Sequence, residues 1–374
     1  MLYNPLEQKI IEKIKKEGPI TFKTFMEMAL YEPGLGYYAS DKTEIGRGGD
    51  FYTSQHLHQA FGTMIGKQLE EMWETMERPA DFCAVEPGAG AGLMCKDIMN
   101  FLDNRDIFNS FTYTIVEPNP FMQHKQKKLL EGYLDKVKWA ASLNGLGNIK
   151  GCILSNELLD AFPVHLIGME DELREIYITV DNENITEIKR HPGTTDLADY
   201  LNEFLIELPE GYRTEINLGI KDWLRSVNEV LTEGFILTID YGHPASDYYS
   251  EDRNRGTLLC YHKHQLNENP YRNIGEQDIT AHINFSSVKK WGEEFGFRTL
   301  GFCRQGTYLV SLGIDEVINE LYANSTDYLF EVARIKKLIF PGTIGETHKV
   351  MIQYKGSRNP ALKGFSMRNQ KDKL

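Results

Sequence analysis

The feature that most constrains the fold is a glycine-rich turn, EPGAGAG at residues 86–92, placed between a short apolar run and an amphipathic stretch. The run before it, residues 82–85, has the length of a buried strand, and the stretch after it predicts a helix. Further strands are predicted at 111–116, 137–140 and 151–155, with helices or turns between them. Strands that alternate with helices form a parallel sheet with helices on both faces. The sequence therefore predicts an α/β fold.

Composition and charge narrow the class of partner. The chain has 374 residues, with 41 Lys and Arg against 54 Asp and Glu, and a formal net charge of −13. We expect no nucleic-acid partner, because that affinity comes mainly from cations that neutralise phosphates. We expect no membrane partner, because no stretch approaches the ~18 apolar residues of a spanning helix. The five cysteines form no C-x-x-C pair and residues 1–16 do not resemble a signal or transit peptide, so we expect a cytoplasmic protein.

The pattern of helices and strands predicts three parts along the chain. Residues 1–80 are expected to form a helical N-terminal cap that carries a glycine-rich lid loop. Residues 81–355 are expected to form the core, with late strands at 297–303 and 347–354. Insertions into the core are expected at about 163–232, 242–295 and 314–340, on the substrate side. Residues 356–374 are basic, and we expect a flexible tail.

The spacing of the glycines in the turn bears on the ligand. Gly88, Gly90 and Gly92 permit a tight turn and close approach of a ligand to the backbone. A dinucleotide fingerprint, G-x-G-x-x-G, requires a third glycine where this chain has Leu93 or Cys95. A nicotinamide-dependent oxidoreductase is therefore disfavoured. The alternative that needs no ligand is an ordinary glycine-rich connection between a strand and a helix.

Two acids at predicted strand ends favour a cationic nucleoside. Glu86 would repel a pyrophosphate but suits a ligand with a positively charged head. Glu117 closes the next strand, where a carboxylate can accept both hydroxyls of an adenosine ribose. S-adenosylmethionine carries an ammonium, a sulfonium and a ribose, and it is the predicted cofactor. In the loop GRGGDFYTS, Asp50 and Phe51 are predicted to close over the cofactor, with the acid towards its cationic end.

An ordered set of motifs resembles the MidA-like family of class I S-adenosylmethionine-dependent methyltransferases. This family includes a mitochondrial complex I assembly factor that methylates a protein arginine. The motifs are GYY at 36–38, GDFYTS at 49–54, EPGAGAG at 86–92, VEPNP at 116–120, SNELLDAFP at 155–163, IDYG at 239–242, GTLLCY at 256–261, GEQDITAHINF at 275–285, RQGTYLVSLGI at 304–314 and GETHKV at 345–350. The chain departs from the family pattern at Gln55, usually proline, and at Ala89 and Ala91, where a bulkier residue is usual.

The resemblance implies the fold and the catalytic residues. It implies a Rossmann-like sheet of seven strands, parallel except for one antiparallel strand. In class I methyltransferases the loop after the fourth strand faces the methyl group, so the resemblance implies that Asn156, Glu157 and Asp160 hold the nucleophile. Neighbouring carboxylates can grip a guanidinium by paired hydrogen bonds. The alternative is that Asn156 caps a helix whose first turn carries the two acids.

The polar and aromatic segment 242–284 is predicted to cover the substrate, with Tyr241 and His243 near the methyl acceptor. The same segment holds His262, His264 and His282, but their spacing matches no metal cluster, and we predict no metal. The expected function is methyl transfer to a protein side chain, with arginine favoured by the resemblance. The alternatives are a small-molecule methyltransferase and a non-catalytic assembly factor that binds the cofactor.

Overall fold

The chain forms two compact units, each assembled from three separate segments. The computed structural model describes residues 4–40, 58–263, 265–322 and 326–374. The first unit comprises residues 1–51, 159–222 and 243–287. The second comprises residues 52–158, 223–242 and 288–374. This grouping differs from the expected division into a cap, a core and a tail, because the first part of the cap shares an apolar core with two of the insertions.

Seven strands of the main sheet form the centre of the second unit; the eighth strand of this sheet is the short segment Ile283–Asn284. The seven strands in chain order are β1 (Phe82–Pro87), β2 (Phe111–Val116), β3 (Val137–Ala140), β4 (Ile149–Asn156), β5 (Leu231–His243), β6 (Arg298–Arg304) and β7 (His348–Lys355). They lie in the order β3-β2-β1-β4-β5-β7-β6. The neighbours among β1 to β5 are parallel, and β7 is antiparallel to both β5 and β6. The predicted class I methyltransferase fold, with one antiparallel strand, is confirmed.

The apolar sequence of the central strands explains their position in the sheet. In β5 the run from Phe235 to Ile239 contains four buried apolar side chains, as expected of a strand covered on both faces. Phe235 pairs with Cys152 of β4 on one side and with Tyr354 of β7 on the other. Parallel strands end at the same edge, so the carboxyl ends of β1, β2 and β4 bring their following loops together.

Helices and short turns connect the strands. The α-helices are Pro5–Glu17, Phe22–Tyr31, Ala60–Thr75, Leu93–Leu102, Pro120–Leu129, Asp196–Glu203, Gly219–Val230, Ala245–Tyr248, Phe285–Glu294, Gln305–Ser311, Ile314–Tyr322, Tyr328–Ile339 and Ile344–Thr347. Short 3-10 turns lie at Asp106–Ser110, Glu131–Tyr133, Leu143–Gly145 and Glu251–Arg253. Within the described ranges, no helix has the length and apolar character needed to cross a bilayer.

The first unit contains two small antiparallel sheets. The larger is formed by Ile20–Thr21, His165–Glu170, Glu172–Asp181, Asn184–Arg190 and Arg213–Ile216. The smaller is formed by Leu259–His262, Gln265–Asn267 and Asp278–Thr280. Helices Pro5–Glu17 and Phe22–Tyr31 bury apolar side chains in the same core as strands of the larger sheet. Asn4 and Thr21 cap these two helices by accepting hydrogen bonds from Glu7 and Thr24.

The C-terminal segment, residues 356–374, packs against β6, whereas the sequence predicted a flexible tail. Leu362 and Phe365 are buried despite the basic residues around them. The backbone nitrogen of Gln370 donates to the carbonyl of Phe302 at 2.7 Å, and the Asn369 side chain accepts from the Phe302 nitrogen at 3.2 Å. The two apolar side chains and these bonds to a sheet edge account for the ordered conformation.

Candidate active site

The glycine turn after β1 has backbone angles that favour glycine. Gly88, Gly90 and Gly92 have φ of 70°, 52° and 83°, in the left-handed region. The Gly88 nitrogen donates to the carbonyl of Val116 at 3.1 Å, which ties the turn to the end of β2. A Cβ atom on Gly88 would lie 3.0 Å from the Leu158 side chain. The Gly88 backbone therefore lies close both to the carboxyl end of β2 and to Leu158, which follows β4, and a larger residue at position 88 would crowd Leu158.

Glu86, near the end of β1, precedes this turn and is almost completely buried. The Tyr113 hydroxyl donates to its Oε2 at 2.7 Å. Burial raises the pKa of Glu86 to about 7, although the bond from Tyr113 acts in the opposite direction. The group can therefore be charged or neutral near neutral pH.

Glu117 follows the last residue of β2, and it too is buried. Its Oε1 accepts from the Asn119 nitrogen at 2.9 Å, and its Oε2 accepts from Gln126 at 3.3 Å. Burial raises the pKa of Glu117, and the bonds from Asn119 and Gln126 oppose that rise. Its backbone nitrogen donates to Ala140 at the end of β3. The carboxylate thus has a fixed orientation at the strand end.

Gln126 was missed in the sequence analysis. It lies in the helix Pro120–Leu129 with a completely buried side chain, which also donates to the carbonyl of Gly90 at 2.8 Å. The sequence did contain a signal, because Gln126 is four residues after buried Met122 and four before buried Leu130. A polar residue on the apolar face of a helix requires hydrogen-bond partners in the interior.

Asn156 and Glu157 follow one another at the carboxyl end of β4, as predicted. Asn156 is buried, and its Oδ1 has no hydrogen-bond partner among the described residues. Glu157 has a φ of 47°, a costly conformation for a residue with a side chain, and its nitrogen donates to the carbonyl of Ile239 in β5. The end of β4 thus combines a buried acceptor without a partner in the described ranges and an acid in a costly backbone conformation.

His348, the first residue of β7, lies next to Glu157 and was also missed. Its Nε2 is 3.5 Å from the Glu157 Oε1, and the histidine is completely buried. The Tyr241 ring lies against it with centroids 4.0 Å apart, since the two residues are register partners in β5 and β7. Tyr241 therefore belongs to the same group of side chains as Glu157. A single histidine at the start of a late strand gave no spacing signal.

Asp160 lies in the first unit, where it is buried near Tyr38 and Asp278. The Tyr38 hydroxyl donates to Asp278 Oδ1 at 2.7 Å, and Tyr31 stacks on Tyr38 with centroids 5.6 Å apart. Burial raises the pKa of Tyr38, and the charges of Asp278 and Asp160 raise it further. Asp160 is thus in acidic and aromatic surroundings.

The remaining predicted residues are His243 and those of the glycine-rich loop. His243 belongs to the first unit, where its ring lies 5.3 Å from that of His282. In the described part of the chain, no three His, Cys, Asp or Glu side chains are grouped as metal ligands. Asp50, Phe51 and Gln55 lie outside the described residues, so the lid prediction has no structural test.

The hydrogen-bond acceptors at the ends of β1, β2 and β4 fit S-adenosylmethionine. The left-handed glycine turn has no side chains between β1 and the following helix at three positions, and the buried Glu117 carboxylate is a group that can accept from ribose hydroxyls. Glu86 suits a cationic amine, and the unpaired Asn156 Oδ1 can accept from a ligand donor. The site is that of a class I nucleoside-cofactor enzyme.

Comparison with known proteins identifies the family. A family model described as "Putative S-adenosyl-L-methionine-dependent methyltransferase" matches residues 64–303, and the chain belongs to this family. In Drosophila melanogaster, the mitochondrial protein arginine methyltransferase NDUFAF7 homolog is 25% identical, over 95% of this chain and 86% of its own length. The human mitochondrial protein arginine methyltransferase NDUFAF7 is 27% identical, over 86% of this chain and 76% of its own length.

A solved structure supports the same assignment. A COG1565 superfamily member and likely methyl transferase from Burkholderia thailandensis, bound to S-adenosylhomocysteine, has a TM-score of 0.92 and 27% identity, with each chain covered completely. The protein is therefore an S-adenosylmethionine-dependent methyltransferase of the MidA-like family. The predicted cofactor, enzyme class and family are confirmed.

Proposed function

We propose that this methyltransferase modifies a protein, and that the acceptor is the guanidinium of an arginine. The observation that carries the proposal is the conformation of Glu157. This acid has a left-handed backbone directly after β4, and its side chain is buried beside His348. Folding does not favour such an arrangement, so a functional demand on the carboxylate explains it best.

The chemistry of arginine explains why an acid is needed. The cofactor supplies a methyl group on a positively charged sulfur. A guanidinium stays protonated near neutral pH, so a nearby carboxylate can hold it by charge-assisted hydrogen bonds and orient one nitrogen for attack. The new bond joins that nitrogen to the methyl carbon as the carbon–sulfur bond breaks. The methylated nitrogen then releases a proton, and we assign Glu157 as the base that takes up this proton.

The surroundings of Asp160 are also suited to a cationic substrate. Asp160 and Asp278 are both buried in the first unit, and Tyr31 and Tyr38 stack beside them. Carboxylates and aromatic faces are the groups that bind guanidinium in proteins. We propose that Asp160 binds the acceptor, as the family resemblance suggests, and that Asn156 accompanies Glu157.

The relatives support the same substrate class by their names. The fly and human relatives are named protein arginine methyltransferases, and both are named mitochondrial. The cytoplasmic location stays a prediction of this sequence, as does a role for Tyr241 and His243 in binding the acceptor. A part in complex I assembly rests on the family resemblance alone.

Transfer of tritium from labelled S-adenosylmethionine to proteins of a deletion-strain lysate tests the proposal. We expect Glu157→Gln to lower the rate by about two to three orders of magnitude, because the carboxylate acts mainly in the transition state. Calorimetry on the same preparation should give wild-type cofactor affinity. The matched control is Glu77→Gln, which should transfer methyl at the wild-type rate. Glu77 also has a left-handed backbone conformation, with a φ of 64°, but its side chain is exposed.

Acid hydrolysis of the labelled protein identifies the acceptor. Methylarginine in the wild-type reaction supports the proposal. Methyllysine, or label found only in small molecules, overturns the arginine assignment. Wild-type transfer by Glu157→Gln removes Glu157 from the mechanism. Cofactor binding without any transfer by the wild type would favour the non-catalytic assembly factor.

A further inference from the structure

We propose that Gln126 is a positioning residue that couples the glycine turn to the ribose-binding acid. The inference rests on the assignment of Glu117 to the cofactor ribose. It starts from the completely buried side chain of Gln126, in the middle of the helix Pro120–Leu129.

One amide group joins three segments of the chain. The Gln126 Nε2 donates to the Gly90 carbonyl at 2.8 Å and to Glu117 Oε2 at 3.3 Å. Its Oε1 accepts from the Trp139 indole at 3.0 Å. Both N–H groups and the carbonyl oxygen of the amide are therefore engaged. The turn after β1, the end of β2 and strand β3 are connected through this side chain.

The packing of the glutamine stem fixes the position of the amide. A Cβ on Gly92 would lie 3.4 Å from Gln126 Cγ, so the glycine allows the stem to pass close to the turn. The Trp139 bond holds the amide in one of its two flipped orientations, with the nitrogen towards Gly90 and Glu117. As a result the Glu117 carboxylate and the backbone of the glycine turn are held in fixed positions before the cofactor binds.

Preorganisation is the expected benefit of this arrangement. Glu117 has two hydrogen bonds from the protein, one to each oxygen, and each oxygen keeps a lone pair for a ribose hydroxyl. Without Gln126 the carboxylate has one fewer bond to define its orientation, and ligand binding has to order it. Gln126 contacts the acid and the turn rather than the reacting atoms, so its effect is on cofactor affinity.

The test measures S-adenosylhomocysteine affinity by calorimetry in Gln126→Met, which keeps the side-chain length but removes the amide. We expect affinity to fall about tenfold, the effect of losing a bond to a charged group. The matched control is Gln123→Met. Gln123 lies on the same helix and donates at 2.8 Å to the Glu117 backbone carbonyl, not to its carboxylate. We expect the control to change affinity by less than about twofold. Equal losses in the two variants would overturn the proposal.

A double-mutant cycle separates positioning from general destabilisation. In a Glu117→Gln background, Gln126→Met should lower affinity by less than about threefold, because the carboxylate that it orients is gone. The same tenfold loss in both backgrounds would show that Gln126 does not act through Glu117. An unchanged affinity in Glu117→Gln alone would instead overturn the assignment of Glu117 to the ribose.

A second variant covers the case in which Gln126→Met does not fold. Trp139→Phe keeps an aromatic ring in β3 but removes the indole N–H that orients the amide. We expect a smaller loss of affinity, about threefold, which is also reduced in the Glu117→Gln background. Wild-type affinity in Trp139→Phe would contradict the role of this bond in positioning Gln126.

Discussion

Two buried glutamates at neighbouring strand ends differ in the bonds that they receive. Glu86 accepts a hydrogen bond from the phenol of Tyr113, whereas Glu117 accepts two from amide groups. Burial raises the pKa of both, and that of Glu86 reaches about 7. The two acids are therefore in different environments, Glu86 within the last residues of β1 and Glu117 directly after β2. We therefore predict that Glu86 links cofactor binding to pH.

Glu86→Gln should raise stability and weaken cofactor binding. Between about pH 4.5 and 7 the folded protein binds more protons at Glu86 than the unfolded chain does. Glu86 therefore reduces stability as pH rises through that range. At pH 8 we expect the variant to exceed the wild type by ~1–3 kcal/mol in the free energy of unfolding, with equal stabilities near pH 4.5. Urea unfolding at both pH values measures the difference.

Cofactor affinity provides the second measurement for this variant. Because the neutral amide cannot attract a cationic head, S-adenosylhomocysteine should bind about tenfold more weakly at pH 8. Burial also raises the pKa of Asp97 to about 7, so only the difference between variant and wild type isolates Glu86. A stability difference that is the same at pH 4.5 and 8 would show that Glu86 does not titrate in this way.

At the level of elements, the loop at 256–258 depends on one buried acid. Glu215, in the strand Arg213–Ile216, accepts hydrogen bonds from the backbone nitrogens of Thr257 and Leu258. The Tyr248 hydroxyl is within 3.4 Å of the same carboxylate. These hydrogen bonds give the GTLLCY motif a structural role: its first residues bind the Glu215 carboxylate through their backbone nitrogens, and its last residues form the strand Leu259–His262.

Gly256→Ala tests this arrangement. Gly256 has a φ of 81°, and a Cβ there would lie 2.2 Å from Glu215 Oε1. Gly211 has nearly the same φ, 79°, with no atom within 4 Å of its Cβ position. We expect Gly211→Ala to cost ~1 kcal/mol of unfolding free energy, from backbone strain alone, and Gly256→Ala to cost ~3 kcal/mol or more. Urea unfolding compares them, and equal costs would contradict a clash with Glu215.

The sequence predicted best those elements that are local in the chain. Strand β1, the glycine turn and the next helix form one continuous segment, and each part has its own pattern of apolar and glycine residues. The first unit was not predicted, because Ile20 pairs with Ile178 and such distant pairing leaves no local pattern. In the site, acids at strand ends were found, whereas Gln126 and His348 depend on tertiary neighbours.

On the scale of the whole molecule, the C-terminal segment protects an edge of the central sheet. Strand β6 is the last strand on its side, and an unpaired edge strand invites association with other chains. Residues 362–370 cover part of it through buried apolar side chains and hydrogen bonds. The basic residues of this segment are compatible with that packing because its anchors are Leu362 and Phe365.

Phe365→Ala should destabilise the second unit. The Phe365 ring lies against Tyr308, with centroids 5.5 Å apart, and it fills the space beside Gly301. Loss of a buried aromatic ring is expected to cost ~3 kcal/mol or more in the free energy of unfolding. Met367→Ala, at a residue that is 65% exposed, is the control and should change stability by less than ~0.5 kcal/mol. Urea unfolding that gives equal values for both variants would show that the segment is not anchored by Phe365.

The position of β7 in the sheet sets the order in which the protein can be completed during translation. This strand comes last in the sequence but lies between β5 and β6, so the ribosome finishes the neighbours of β7 well before β7 itself. Synthesis at ~5–20 residues per second leaves the apolar edge of β5 uncovered for several seconds. A nascent chain that stalls before residue 348 also lacks His348, the partner of Glu157. Messenger truncation would therefore yield a polypeptide with an open sheet edge, a substrate for chaperones and proteases rather than a partly active enzyme.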